Sequence, residues 1–203
     1  MITIVDYGMG NLGSIRNMLK KIGVDSEVTS DAVRIAAATK LILPGVGAYD
    51  AGIENLERSG LIPVLGERVL VAGVPILGIC LGMQLMTLGS TEGTRKGLGW
   101  IDAQSLKFQA TEVGLKVPHM GWNLVRPMRE AALMDALPED TRFYFVHSYY
   151  IRCEQLQDVL LTTNYGEPFH SGFHRGNVWG VQFHPEKSHK FGMHLLRNFA
   201  ERC

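Results

Sequence analysis

Three side chains in this sequence have the types and spacing needed for nucleophilic acyl chemistry: Cys80, His184 and Glu186. Cys80 stands in Gly78-Ile79-Cys80-Leu81-Gly82, with a glycine two residues before it and another two after, the pattern of a nucleophile elbow. A sharp strand-to-helix turn strains the backbone at the nucleophile and crowds its flanks, so the flanking positions must lack side chains. The helix expected after it offers free N–H groups and the positive end of its dipole, both of which favour a thiolate. The Leu81 N–H is placed to receive the oxyanion of a tetrahedral intermediate. A thiol attacking an amide also needs a base that later protonates the leaving nitrogen, and histidine suits both tasks near neutral pH. His184 meets that need, with Glu186 as the acceptor that fixes its tautomer and stabilises its charged form. Pro185 biases His184 toward extended angles, and on an extended segment residues i and i+2 point the same way. His184 and Glu186 are therefore expected to face Cys80 together. Taken singly, Cys80 also reads as a buried core cysteine and His184-Pro185-Glu186 as a strand terminus. Their occurrence in the order Cys…His-x-Glu favours catalysis, because such residues meet in space rather than in sequence.

The remaining histidines raise the question of a metal. Zinc wants four ligands at tight spacing with a defined outer shell. His170, His174, His184, His189 and His194 fall in strand, turn and helical contexts that scatter their side chains, and no cysteine pair joins them. No metal is expected; His170, His174, His189 and His194 read as surface or packing residues.

Elements must bring Cys80 and His184 together. Ile2 to Val5, Ser26 to Thr29, Lys40 to Pro44 and Val74 to Ile79 read as short, mostly buried strands. Helical spacing appears from Asn11 to Ile22, where Leu12, Ile15, Met18, Leu19 and Ile22 recur every three or four positions. Further helices are expected over Ala51 to Arg58, Leu61 to Ala72 and the segment CLGMQLMTLG that begins at Cys80. Strand-rich sequence follows, notably Arg142 to Ile151, Asp158 to Tyr165 and Asn177 to Phe183, and a helix from Ser188 to Arg202 closes the chain. Alternating strands and helices predict an α/β sandwich with a mostly parallel central sheet and antiparallel additions. Ligands in such sheets sit beyond the carboxyl ends of the strands, where Pro44-Gly45-Val46-Gly47, Cys80 and His184 all fall.

The 203 residues suit one domain, residues 1–203, with a sizeable core. Lys+Arg and Asp+Glu balance at 20 each, which gives no argument for nucleic acid or a membrane surface as partner. Cys80, Cys153 and Cys203 are few, odd in number and widely spaced, as in a reduced compartment. The opening MITIVDYGMGN meets an aspartate too early for a secretory segment, and Val69 to Leu81 is too short and too interrupted to span a bilayer. The expected location is the cytoplasm.

With GICLGMQ and HPE in place, the sequence resembles the class I glutamine amidotransferases, of flavodoxin-like α/β fold. Within them it is similar to the glutaminase subunits of imidazole glycerol phosphate synthases, from histidine biosynthesis. That likeness covers essentially the whole chain and rests further on DYGMGN (Asp6 to Asn11), LPGVGAYD (Leu43 to Asp50), GLGW (Gly97 to Trp100), VPHMGWN (Val117 to Asn123) and YFVHSYY (Tyr144 to Tyr150). The resemblance implies Cys80 as nucleophile, His184 as base and Glu186 as its orienter, with no cofactor. It implies oxyanion contacts from Leu81 and from the Gly45, Val46 and Gly47 loop. Gln84 and Glu92 would bind L-glutamine, Glu92 at its amino group, and Ser148 and Tyr149 would meet its carboxylate. It also implies a (β/α)8-barrel cyclase subunit as heterodimer partner, approached through Asn11, Trp122 and Lys187, which receives the released ammonia.

Residue by residue, other roles stay open. Gln84 reads equally as a solvated helix residue, Glu92 as a loop acid, Asn11 as a helix cap and Trp122 as a rim aromatic. Two rival functions share the motifs. One is a glutaminase serving another synthase, such as those for anthranilate, guanylate or pyridoxal phosphate. The other is a non-catalytic subunit that kept the fold, against which the intact triad argues.

Overall fold

The computed structural model describes residues 1–109 and 115–203. In chain order its elements are β1 (Ile2–Val5), α1 (Leu12–Lys21), β2 (Ser26–Thr29), α2 (Ala32–Ala36), β3 (Leu41–Gly45), α3 (Tyr49–Ser59), α4 (Ile62–Gly66), β4 (Ile76–Cys80), α5 (Leu81–Leu85), β5 (Gly89–Ser90) and β6 (Ala103–Lys107). The second half adds β7 (His119–Leu124), β8 (Arg126–Pro127), β9 (Arg142–His147), β10 (Tyr149–Cys153), β11 (Val159–Tyr165), β12 (Glu167–Arg175), β13 (Val178–Val181) and α6 (His189–Arg202). The main sheet runs β2-β1-β3-β4-β13-β12-β10-β6-β5, with β11 on β12 and β8 on β11. From β2 to β13 neighbouring strands are parallel; β13–β12, β12–β10 and β10–β6 are antiparallel. β7 and β9 form a separate antiparallel pair. This is the α/β architecture the sequence predicts, a parallel half with antiparallel additions.

Alternation builds the layers. Ile2 and Ile4 of β1, Ile42 of β3 and Leu77 and Ile79 of β4 turn to one face, where Ile15 and Leu19 of α1 and Leu195, Leu196 and Phe199 of α6 cover them. Val5, Leu41, Leu43 and Ile76 turn to the other, under Ile35 of α2, Ile53 and Leu56 of α3 and Leu65 of α4. Strands buried on both faces need continuous apolar runs, which ITIV and LILP supply.

Several boundaries differ from the sequence reading. The helix expected from Cys80 to Gly89 stops at Leu85. Returning chain satisfies the carbonyls that would have continued it: Leu98 N–H donates to Leu85 O, and Trp100 N–H and Ile101 N–H donate to Met86 O. The helix expected over Leu61 to Ala72 is α4 followed by a π-helical turn, Glu67–Val71. The strand-rich segment Arg142 to Ile151 holds two strands. It breaks at Ser148 into β9 and β10, which belong to different sheets. The long β12 went unread because Pro168, Gly172 and two histidines interrupt its apolar alternation.

Candidate active site

Cys80 ends β4 with φ 54° and ψ −111°, a left-handed-side conformation that costs energy for any residue but glycine. Its flanking glycines are there for lack of room. A Cβ on Gly78 would lie 2.8 Å from the backbone of Met83, and one on Gly82 only 1.9 Å from the Leu43 carbonyl oxygen. Gly82→Ala is therefore expected to destabilise the fold by more than about 3 kcal/mol, an overpacking clash against backbone that cannot yield. A denaturant midpoint unchanged from the parent would refute that tight turn. Beside it, Gly45 pairs in register with Cys80. Tyr7 donates its hydroxyl to the Pro44 carbonyl at 2.7 Å, and burial, with Cys80 nearby, pushes its ionisation upward.

His184 follows β13, the strand hydrogen-bonded beside β4, so the topology alone sets it next to the elbow. Its Nδ1 donates to Glu186 Oε1 at 2.7 Å, and both side chains are almost wholly buried. The expected extended His-x-Glu arrangement is not what holds them. Pro185–Lys187 form a 3-10 turn with Pro185 at its start, and Glu186 reaches back around that turn to the imidazole. Proline fits there because its fixed φ suits the first helical position and its missing N–H is not needed. Ser188, fully buried, clamps the turn: its hydroxyl donates to the His184 carbonyl at 2.6 Å and accepts the Tyr144 N–H at 3.0 Å. Burial works to strip the imidazole of its charge. The Cys80 sulfur and Glu186 outweigh burial, and His184 is raised to about 10. Among the described residues, its Nε2 and Glu186 Oε2 are buried without a well-formed hydrogen bond.

A cleft of about 540 Å³ opens over this pair, and it collects residues far apart in sequence. Cys80, Leu81, His184, Val46, Gly47, Gln84, Glu92, Ser148, Tyr149, Asn11 and Lys187 all line it. Glu186 stands behind His184, outside the lining. Trp122 lies on β7, stacked on His189 and half-exposed. Gln84 is buried rather than solvated, its Nε2 donating to the Tyr149 carbonyl at 3.3 Å and to Gln182 Oε1 at 3.1 Å. Glu92 accepts the Tyr49 N–H at 3.1 Å, at the first turn of α3. Asn11 does cap α1, accepting the Ser14 N–H, while also standing at the rim of the cleft.

Sequence reasoning missed Gln182, fully buried, whose Nε2 donates to Cys80 Sγ at 3.7 Å. Its signal was a lone polar residue between Val181 and Phe183, two positions before His184. His147, Val146 and Pro118, also in the cleft wall, were missed as well. The other histidines have local partners. His170 accepts the Cys153 N–H, His174 stacks on Trp179 and donates to Gly176 O, and His194 donates to Asp135 O. Among the described residues no group of three His, Cys, Asp or Glu converges as a metal site would require, and no helix is long and apolar enough to cross a membrane.

Known proteins place this architecture. Among solved structures, one titled as a glutamine amidotransferase superposes with a TM-score of 0.77 at 18% identity, over 99% of this chain and 98% of its own. An imidazole glycerol phosphate synthase subunit HisH 2 of Methanococcus maripaludis is 54% identical over 203 residues, the full length of both chains. One of the same name from Pseudomonas aeruginosa is 50% identical over 201 residues, 99% of each. The family described as glutamine amidotransferase class-I matches residues 3–203. On that match and those full-length relatives, the chain belongs to the class I glutamine amidotransferases.

Proposed function

We propose that this chain is the glutaminase subunit of an imidazole glycerol phosphate synthase, hydrolysing L-glutamine and passing the ammonia to a cyclase subunit of (β/α)8-barrel fold in L-histidine biosynthesis. The observation that carries the chemistry is Cys80 on a strained strand-to-helix turn, with a buried His184–Glu186 pair on the adjacent strand end. The full-length likeness to chains named as synthase subunits carries the choice of pathway.

In this reading the Cys80 thiolate adds to the glutamine side-chain carbonyl carbon, and N–H groups of Leu81 and of the Val46–Gly47 segment bind the oxyanion. His184 gives its Nε2 proton to the departing nitrogen, ammonia leaves, and a glutamyl thioester remains. Water then adds to the thioester with His184 as base, and glutamate departs as the thiol is restored; one glutamine and one water give one glutamate and one ammonia. Glu92 takes the substrate's amino group, and Gln84, Ser148 and Tyr149 hold the rest of its amino-acid end. Every catalytic group invoked is a protein group, so the hydrolysis calls for no cofactor. Met120, Trp122 and Leu124, exposed together on one face of β7, with Asn11 and Lys187 at the cleft mouth, form the docking face for the cyclase.

The Val46–Gly47 segment supports a switch in the same machinery. Gly45 has no room for a side chain: a Cβ there would sit 2.6 Å from Tyr7 OH and 2.9 Å from Gly82 N. The Gly45–Val46 peptide leads from that bare position to exposed Val46 and to Gly47 at φ +114°, and its reorientation would turn the Val46 N–H toward or away from the oxyanion. Losing one oxyanion donor costs about 10²–10³ in rate, so the isolated chain is expected to turn over glutamine slower by about that factor than the assembled complex. The test is to capture the partner by pull-down and measure glutamate release by the chain alone, with partner, and with partner plus its nucleotide ligand. Equal rates in all three would remove the switch. Capture of a different synthase would move the chain to another branch of the family, and no glutaminase activity in any arm would leave a non-catalytic subunit.

A further inference from the structure

We infer that His147 and His119 are positioning residues for glutamine: as neutral Nδ1–H tautomers they form a one-way hydrogen-bond chain from Asn123 to the Tyr149 carbonyl and fix the corner that meets the substrate. The inference rests on the glutaminase reading above. The corner, Ser148–Tyr149, joins β9 to β10 and lines the cleft. Its two carbonyls are both held on the protein side. Ser148 O accepts the Phe108 N–H at 3.0 Å, and Tyr149 O accepts Gln84 Nε2 at 3.3 Å and His147 Nδ1 at 2.7 Å. Holding both carbonyls fixes both peptide planes, and with them the direction of the backbone groups offered to a substrate carboxylate.

Every proton in the chain follows from one fact, that a carbonyl only accepts. His147 Nδ1 must carry hydrogen, which leaves the Nε2 of a neutral ring as an acceptor. His119 Nδ1, 3.0 Å away, must then donate, and its own Nε2 accepts from Asn123 Nδ2 at 3.2 Å. Asn123 has no choice of orientation. Its second amide hydrogen goes to Asn164 O at 2.9 Å, and its oxygen accepts the Leu124 N–H at 2.8 Å. A proton added to either ring would set two donors face to face. The surroundings oppose that charge: His119 lies stacked between Phe145 and Tyr165, and burial pushes His119 down to about 4 and His147, also beside His119 and His184, to about 3. His119 and Asn123 point inward from β7, the strand whose outward face carries Met120, Trp122 and Leu124. One strand thus borders both the proposed docking face and the chain that holds the glutamine corner.

Two measurements on the assembled complex test this. Asparagine places its amide near the imidazole Nδ1, whereas glutamine places its amide near Nε2. His147→Gln, which loses the bond to Tyr149, is expected to raise the KM for glutamine about tenfold, the size of one neutral hydrogen bond, with kcat within about threefold. His147→Asn is expected to recover most of that loss. Equal KM values for the two variants, or a fall confined to kcat, would overturn the assignment. The parent complex, with this chain alone labelled in its histidine nitrogens, supplies the second measurement by NMR. Both rings are expected as the Nδ1–H tautomer at neutral pH, the less common form in water; an Nε2–H or charged ring at either position would break the chain. Because this readout needs no turnover, an inactive complex would count against the glutaminase reading and leave the hydrogen-bond chain to be judged separately.

Discussion

Replacing Cys80 by alanine is expected to abolish glutamine-dependent synthesis by the complex, a loss of about 10⁴-fold or more, while synthesis from added ammonia continues. The contrast isolates the sulfur. Alanine keeps the Cβ and the same strained backbone angles at the end of β4, so Gly78, Gly82 and the packing around the elbow are undisturbed. In the proposed function the ammonia-dependent reaction belongs to the partner and needs only an intact complex. Serine is expected to fail as well, because an alkoxide is far harder to form than a thiolate in the same place. Glutaminase turnover by Cys80→Ala in the assembled complex would assign the nucleophile elsewhere.

The second large effect is at His184. His184→Ala is expected to lose about 10⁴-fold in glutaminase kcat, since one ring handles protons in both half-reactions; Glu186→Gln is expected to lose less, about 10- to 100-fold. In the proposed mechanism the glutamate does not meet substrate. It orients the ring and supports its charge. That support has a sign that stability can read. His184 is raised from 6.5 to about 10, so the stabilisation from its charged form is complete below pH 6.5 and is lost as pH rises through about 10. The thermal midpoint of the parent is therefore expected to decline across that window, and Glu186→Gln to decline less. Parallel curves for the two proteins would mean that Glu186 does not hold the charge on His184.

Much of this site was readable because its constraints are local. The glycine frame of Cys80 announces a turn with no room for side chains, and the 1.9 Å approach of a Gly82 Cβ to Leu43 O shows why. His184 was readable from its place at the end of an apolar strand. Less legible were features fixed by distant chain. Glu186 was expected to share an extended segment with His184, but Ser188 and Tyr144 close the chain into a turn there, and no periodicity records that closure. The break at Ser148 was hidden because both flanking strands are apolar and alternate well; only their assignment to different sheets separates them. Gln182 and His147 were passed over because buried polar residues declare themselves through partners, and their partners lie on other elements.

The place of β13 in the sheet bears on how the protein is made. β13, residues Val178–Val181, lies between β4 and β12, so a strand synthesised long after β4 is inserted at the seam between the parallel and antiparallel halves. Until β13 is made, β4 can pair with β3 on one side but has no native partner for its other edge. Such an edge is a template for wrong pairing, and long-range parallel contacts form slowly. The cysteine at its tip stays without a base over the same interval, because the strand that closes the edge also delivers His184. A chain in which β13 has yet to pair would therefore leave an open sheet edge and a thiol without its proposed base, and the pairing that closes the sheet is the one that completes the proposed triad.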